Sequence, residues 1–249
     1  MQGAQTPSKG QGKLLNRFGL YDFFANIIPG IFFLWALGTV LGIQELREAL
    51  PLTGGLAETS VLIVIGYLTG LLLQGISQAL TERALKWWWD GFPSERWLLP
   101  EDQRLTAEYK AQLSEVTGRR FNLVFDLSSP ERDDRAGRKA RMKRNQEIFY
   151  RCYRAVEKAS DQPQTFNAQY GLFRGLLTTF LLLVLISLGF AAHGLWSVGT
   201  SIPSRHLIFA AASVVGGIIS YQRATKRGED FAKSVLDVFL VNNPPPEAP

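Results

Sequence analysis

The sequence predicts an all-α, polytopic membrane fold: four transmembrane helices, with a small, mainly helical cytoplasmic domain inserted between the second and third. Three observations carry this expectation. The 249-residue chain is 46% hydrophobic and 20% charged, yet its apolar residues are gathered into four long uncharged blocks. Charges collect between and beyond those blocks, so a mean hydropathy near zero hides a strongly uneven distribution. Lys and Arg, moreover, fall on alternate connections, as spans of alternating direction require.

In chain order, residues 1–19 read as a disordered basic arm, Gly- and Gln-rich with Lys9, Lys13 and Arg17. The first span runs from Phe23 to Ile43 and is broken only by Asn26 and Pro29-Gly30. It is about twice the length of a signal's apolar run and lacks a small-x-small cleavage site, so a secretion signal is rejected. Asp22 and Asn26, one turn apart, would cap its start. Pro29 has no N–H and frees a carbonyl one turn back, which Asn26 or a neighbouring helix could satisfy; a hinge or pore mouth is the functional alternative. The second span, Thr59 to Leu80, completes a hairpin over 20–81.

The third span, from Gly175 to about Trp196, and the fourth, from Leu207 to about Gln222, form a second hairpin over 175–222. The fourth has roughly 16 apolar residues where about 20 are usual, so it needs tilt or local thinning to cross. The connections Gln44–Glu58 and His193–His206 carry one arginine each, Arg47 and Arg205, whereas Arg223, Lys226, Arg227 and Lys233 follow the last span. The positive-inside bias then places both termini and residues 82–174 in the cytoplasm.

Small residues recur at helical spacing: Gly38/Gly42, Gly66/Gly70, Ala212/Gly216 and Ser213/Gly217. Such faces let helix backbones approach closely, within one bundle or between subunits of a homo-oligomer, and Gly66, Gly70, Ala212 and Gly216 are the candidates for the latter. Tyr67, Gln74, Ser77, Gln78 and Thr81 make one polar stripe on the second span. In hydrocarbon that stripe either bonds across the bundle or lines a water-filled path, and Tyr67, Gln74, Ser77 and Gln78 are the candidate pore-lining residues. No Asp, Glu, Lys or Arg stands mid-span, which argues against a proton relay or voltage sensor. Trp87, Trp88 and Trp89 fit an interfacial anchor better than a base-stacking platform.

Within the insertion, Glu101 to Val116 reads as a helix stopped at Gly118, Phe121 to Leu127 as a short strand or loop, and Asn145 to Ala159 as a second amphipathic helix. Cys152 lies on its apolar face, as a structural thiol would. The run Arg132, Arg135, Arg138, Lys139, Arg141, Lys143 and Arg144, opposed only by Asp133 and Asp134, is a cationic patch. It suits either anionic lipid or a phosphorylated ligand, with Tyr150 and Tyr153 near for stacking. Residues 223–249 continue as a helix with Phe231, Val235, Leu236, Phe239 and Leu240 on one side, then a Pro-rich tail. That apolar side must meet the insertion, another subunit or the membrane surface.

One cysteine and two histidines leave no disulfide framework and little metal-binding capacity, so neither a cofactor nor a metal is expected. No paired carboxylates, Ser-His pair or Gly-rich phosphate loop appears, and the chain reads as a non-enzyme. Three stretches, Tyr21-Asp22-Phe23 with Ile28-Pro29-Gly30, Phe166 to Arg174, and Phe231 to Val241, together resemble a loose group of uncharacterised four-span bacterial inner-membrane proteins. Some of that group are similar to membrane effectors of anti-phage defence that breach the bilayer. The resemblance implies a multi-pass protein of the bacterial inner membrane and supplies no catalytic residue. The expected function is an oligomeric pore or membrane-disrupting effector gated by a nucleotide or nucleic acid at the basic domain. The alternative is a membrane anchor recruiting a soluble signalling partner through the insertion and C-terminal helix.

Overall fold

The computed structural model describes residues 19–43, 55–81, 83, 91–125, 127, 135–198 and 204–244. Among them there is no strand. Helix α1 covers residues 20–41, built from an α turn (Leu20–Asp22), a π-helical segment (Phe23–Ile27) and an α segment (Ile28–Leu41). Helix α2 covers residues 56–81 and ends in a second π segment, Ser77–Thr81. The remaining helices are α3 (Pro93–Arg96), α4 (Ala107–Phe121), α5 (Arg135–Val156), α6 (Gln162–Val198) and α7 (Ser204–Val241). Helices α1, α2, α6 and α7 are each long and apolar enough to cross a membrane. The fourth apolar stretch belongs to a 38-residue helix, which turns from apolar to charged composition at Arg223.

The chain divides into two compact units, residues 1–75 with 171–220 and residues 76–170 with 221–249. In the first, the apolar unit, the helices meet through absent side chains. A Cβ on Gly30 would lie 1.9 Å from the Gly66 carbonyl oxygen, and one on Gly70 would lie 2.0 Å from the Asn26 carbonyl oxygen. These glycines therefore seat α1 directly on α2 backbone. Gly171 and Gly175 receive the side chains of Ala25 and Pro29, while Ala36, Val40 and Leu183 pack with Phe33, Phe180, Ile186 and Phe209 further along. The outward side chains are apolar, among them Leu72, Leu185, Ile208, Ile218 and Ile219, a surface that hydrocarbon tolerates and water does not.

The sequence offered Gly66, Gly70 and Gly216 as faces for packing within one bundle or between subunits, and in the structure each packs within the chain. Gly66 and Gly70 face α1, and Gly216 faces the Phe180 ring, 2.5 Å from where its Cβ would stand. Ala212 alone of the four is exposed.

The second, charged unit has its own core. Trp97, Leu98, Leu113, Val116, Phe125, Ile148, Phe149 and Cys152 pack with Val235, Leu236 and Phe239 of α7. The apolar side of the C-terminal helix is thus covered by residues of the insertion. Several boundaries differ from expectation. Helix α4 begins after Thr106, whose hydroxyl accepts the Tyr109 N–H at 3.2 Å, and runs through Gly118 to Asn122, which adopts φ 55°. Asn122, and not the glycine, supplies the left-handed stop. Residues 122–125 and 127 carry no regular structure, and the Phe125 N–H is met by Ser114 Oγ at 3.2 Å. Helix α5 starts ten residues before the expected Asn145, because Ala, Met, Lys and Arg are good helix formers however highly charged the stretch.

Polar groups in this core are partnered. Lys110 Nζ donates to the carbonyls of Leu99, at 2.6 Å, and Asp102, and burial holds its pKa down against the nearby Asp102 and Glu101 charges. Tyr109 donates to Asp237 at 2.8 Å, with burial and that hydrogen bond both raising its pKa. Cys152 is fully buried and its thiol is pushed up to about 12, so it stays protonated and inert at neutral pH.

Candidate functional site

Two features of the structure concentrate polar chemistry, one in each unit. In the apolar unit it is a knot at the start of α1. Pro29 cannot donate to Ala25, four residues back, and its ring displaces that carbonyl from the helix ladder. The backbone answers with a π turn, in which the Ile28 N–H reaches Phe23 O. The released Ala25 carbonyl accepts Gln74 Nε2 at 2.9 Å, and the Gly171 carbonyl lies 3.5 Å from the same nitrogen. Gln74 Oε1 in turn accepts from Arg174. Asn26 donates to Asp22 at 3.2 Å, and Asp22 accepts the Gly19 N–H at 3.3 Å.

The sequence anticipated both the cap and a donor from a neighbouring helix. It did not identify Gln74 as that donor, and it placed Arg174 at the end of the insertion. Arg174 is 7% exposed within the apolar unit, a correction with a physical basis. Gly171 and Gly175 flank it by three residues and one and let α1 close over the guanidinium's helix, a signal visible in sequence as a small-residue pair around a single Arg. Of the four candidate pore-lining residues, Gln74 and Ser77 are buried, Tyr67 is half-buried and Gln78 is exposed. At Gln74 the geometry is that of bonding across the bundle. The side-chain oxygens of Asn26, Ser77, Thr179 and Ser187 are buried without a hydrogen-bond partner among the described residues.

In the charged unit the feature is the outward face of α5. Its inner face carries Asn145, Ile148, Phe149, Cys152 and Val156 into the core, with Asn145 Nδ2 donating to the Glu95 carbonyl at 3.1 Å. The predicted cationic residues separate accordingly. Arg135, Lys139, Lys143 and Arg144 are exposed; Arg138 pairs with Glu101 at 3.3 Å; Arg141 is half-buried; Arg132 lies outside the described residues, as do Trp87, Trp88 and Trp89. Sequence reading stopped the patch at Arg144, but the helix carries it on to Arg151 and Arg154, one and two turns beyond Glu147. Glu147 is the only acid that α5 carries and pairs with Arg151 at 2.9 Å. Tyr150 is 54% exposed, whereas Tyr153 packs edge-on against Phe231 with ring centroids 5.4 Å apart. Only Tyr150 of the two is placed for stacking. Among the described residues no group of His, Cys, Asp and Glu could hold a metal ion.

Comparison with family models, with curated proteins and with solved structures finds no match to this chain.

Proposed function

We propose that this chain is a multi-pass membrane effector, an oligomeric pore or bilayer-disrupting protein of the bacterial inner membrane, controlled by a phosphate-bearing signal on a cytoplasmic charged unit. One observation carries the reading: α5 exposes Arg135, Lys139, Lys143, Arg144 and Arg154, none ion-paired to a described residue, beside an exposed tyrosine. Unneutralised guanidinium and ammonium groups on a rigid helix favour phosphate esters, and arginine adds forked hydrogen bonds. The unmet hydroxyls of Thr179 and Ser187 supply polar groups that a wetted bundle would use.

The test is dye release from liposomes containing the purified protein. Nucleotides or oligonucleotides should trigger release, and the triple variant Arg135→Glu, Lys139→Glu, Arg144→Glu should abolish it, because each reversal replaces an attraction by a repulsion of similar size. Liposomes that stay sealed with every class of ligand would reject the effector.

A second reading, a membrane anchor recruiting a soluble partner, is favoured by Gln74. The central amide of the polar stripe is occupied by Ala25 and Arg174 within its own chain, as a sealed bundle would have it. An anchor binds its ligand or partner with no change in permeability.

A further inference from the structure

Resting on the proposal that the α5 face takes a phosphate-bearing ligand, we infer that this ligand is an extended single strand of nucleic acid and not a compact nucleotide. Arg135, Lys139, Lys143, Tyr150 and Arg154 follow one another at steps of four, four, seven and four residues. At 100° per residue they stay within about 100° of helix arc, and at 1.5 Å per residue the row is about 28 Å long. Each four-residue step advances about 6 Å, close to the roughly 6 Å between phosphates of an extended strand.

A mononucleotide needs groups that converge from several walls. The recess on this face, about 590 Å³ and open to solvent, is lined by Lys143, Gln146, Glu147, Tyr150, Arg151 and Arg154, all from the one helix. Nothing described faces them from an opposite side. The Tyr150 ring offers a stacking plane within the row of charges, which an unpaired base can use and a paired one cannot. An anionic bilayer fits less well. Helices that lie in a membrane surface bury Trp, Phe or Leu in it, and here Ile148 and Phe149 are turned into the core, leaving alanines as the only aliphatic residues outside.

Fluorescence anisotropy with the full chain in phosphatidylcholine nanodiscs tests this, using labelled oligothymidylates of increasing length, ATP, and vesicles containing phosphatidylglycerol. Affinity should rise with length to about five nucleotides and then level, since the row is about 28 Å long. With about four phosphates neutralised, log K should fall against log salt with slope near −3, a loss of about fiftyfold between 50 and 200 mM. Tyr150→Ala should weaken binding about tenfold and leave the slope unchanged, whereas Arg135→Glu with Lys139→Glu should flatten it. ATP binding as tightly as the longest oligomer, with no length dependence, would overturn the strand and leave the nucleotide-controlled effector standing. Binding to phosphatidylglycerol vesicles alone, or to nothing, would overturn both.

Discussion

Gly30→Ala and Gly70→Ala are each expected to abolish the folded bundle. The added methyl would lie about 2 Å from backbone, the Gly66 oxygen in one case and the Asn26 oxygen in the other. Backbone cannot rotate aside, so α1 and α2 must separate by roughly 1 Å or more along their whole contact, forfeiting much of the dispersion energy there. The same contact aligns Ala25 with Gln74, so the polar knot is lost with it. Gly75 and Gly189 provide controls. Nothing lies within 4 Å of a Cβ at either, and alanine there should be neutral or stabilising by up to about 1 kcal/mol from helix propensity. Thermal unfolding in detergent, followed by size-exclusion chromatography, separates the two outcomes. Wild-type behaviour of Gly70→Ala would refute the close approach.

Gln74→Leu is expected to destabilise the apolar unit by about 3 kcal/mol, because it strips a partner from two buried groups at once. The Ala25 carbonyl loses the Nε2 donor, and Arg174 loses the Oε1 acceptor. The physical cause of the first loss lies in Pro29, and this makes the account separable. Pro29→Ala restores a backbone N–H in the turn that carries Ala25, so in the Gln74→Leu background it should recover part of the stability. A double-mutant cycle should therefore show a coupling of about 1 kcal/mol between residues 29 and 74. Strict additivity would mean that Gln74 does not serve the carbonyl that proline displaces.

These two sites show what can be read from the chain. Pro29 after Asn26 announces a displaced carbonyl, because proline's missing donor is a local property. Which residue repairs it is a matter of helix pairing, and a polar residue on α2 has no sequence mark of its partner. Arg174 was hidden for a similar reason: it stands just before an uncharged window, and only the glycines on either side hint that it is drawn into the bundle. The four spans were legible because a bilayer imposes length and composition together.

In the charged unit, the inner faces of α4 and α5 follow the apolar periodicity, and the buried Cys152 falls where that periodicity puts it. The first ten residues of α5 do not, since positively charged residues fall on its inner and outer sides alike and blur the amphipathic signal; Arg138 and Arg141 have to be accommodated by Glu101 and by partial burial. Continuity of α7 from Ser204 to Val241 was legible as a helical continuation past the fourth span, because the switch from apolar to charged composition at Arg223 changes the surroundings of the helix and not its backbone.

A polyanion on the charged unit is expected to alter the permeability of the bilayer that holds the apolar one, and the current across a planar bilayer measures this most directly. With the protein inserted in one orientation, an oligothymidylate of about eight nucleotides added to the side that the charged unit occupies should produce a current that high salt suppresses. The same addition to the opposite side should produce none. A membrane that remains silent from both sides, while the oligonucleotide is shown to be bound, would contradict the effector and leave the anchor as the function of this protein.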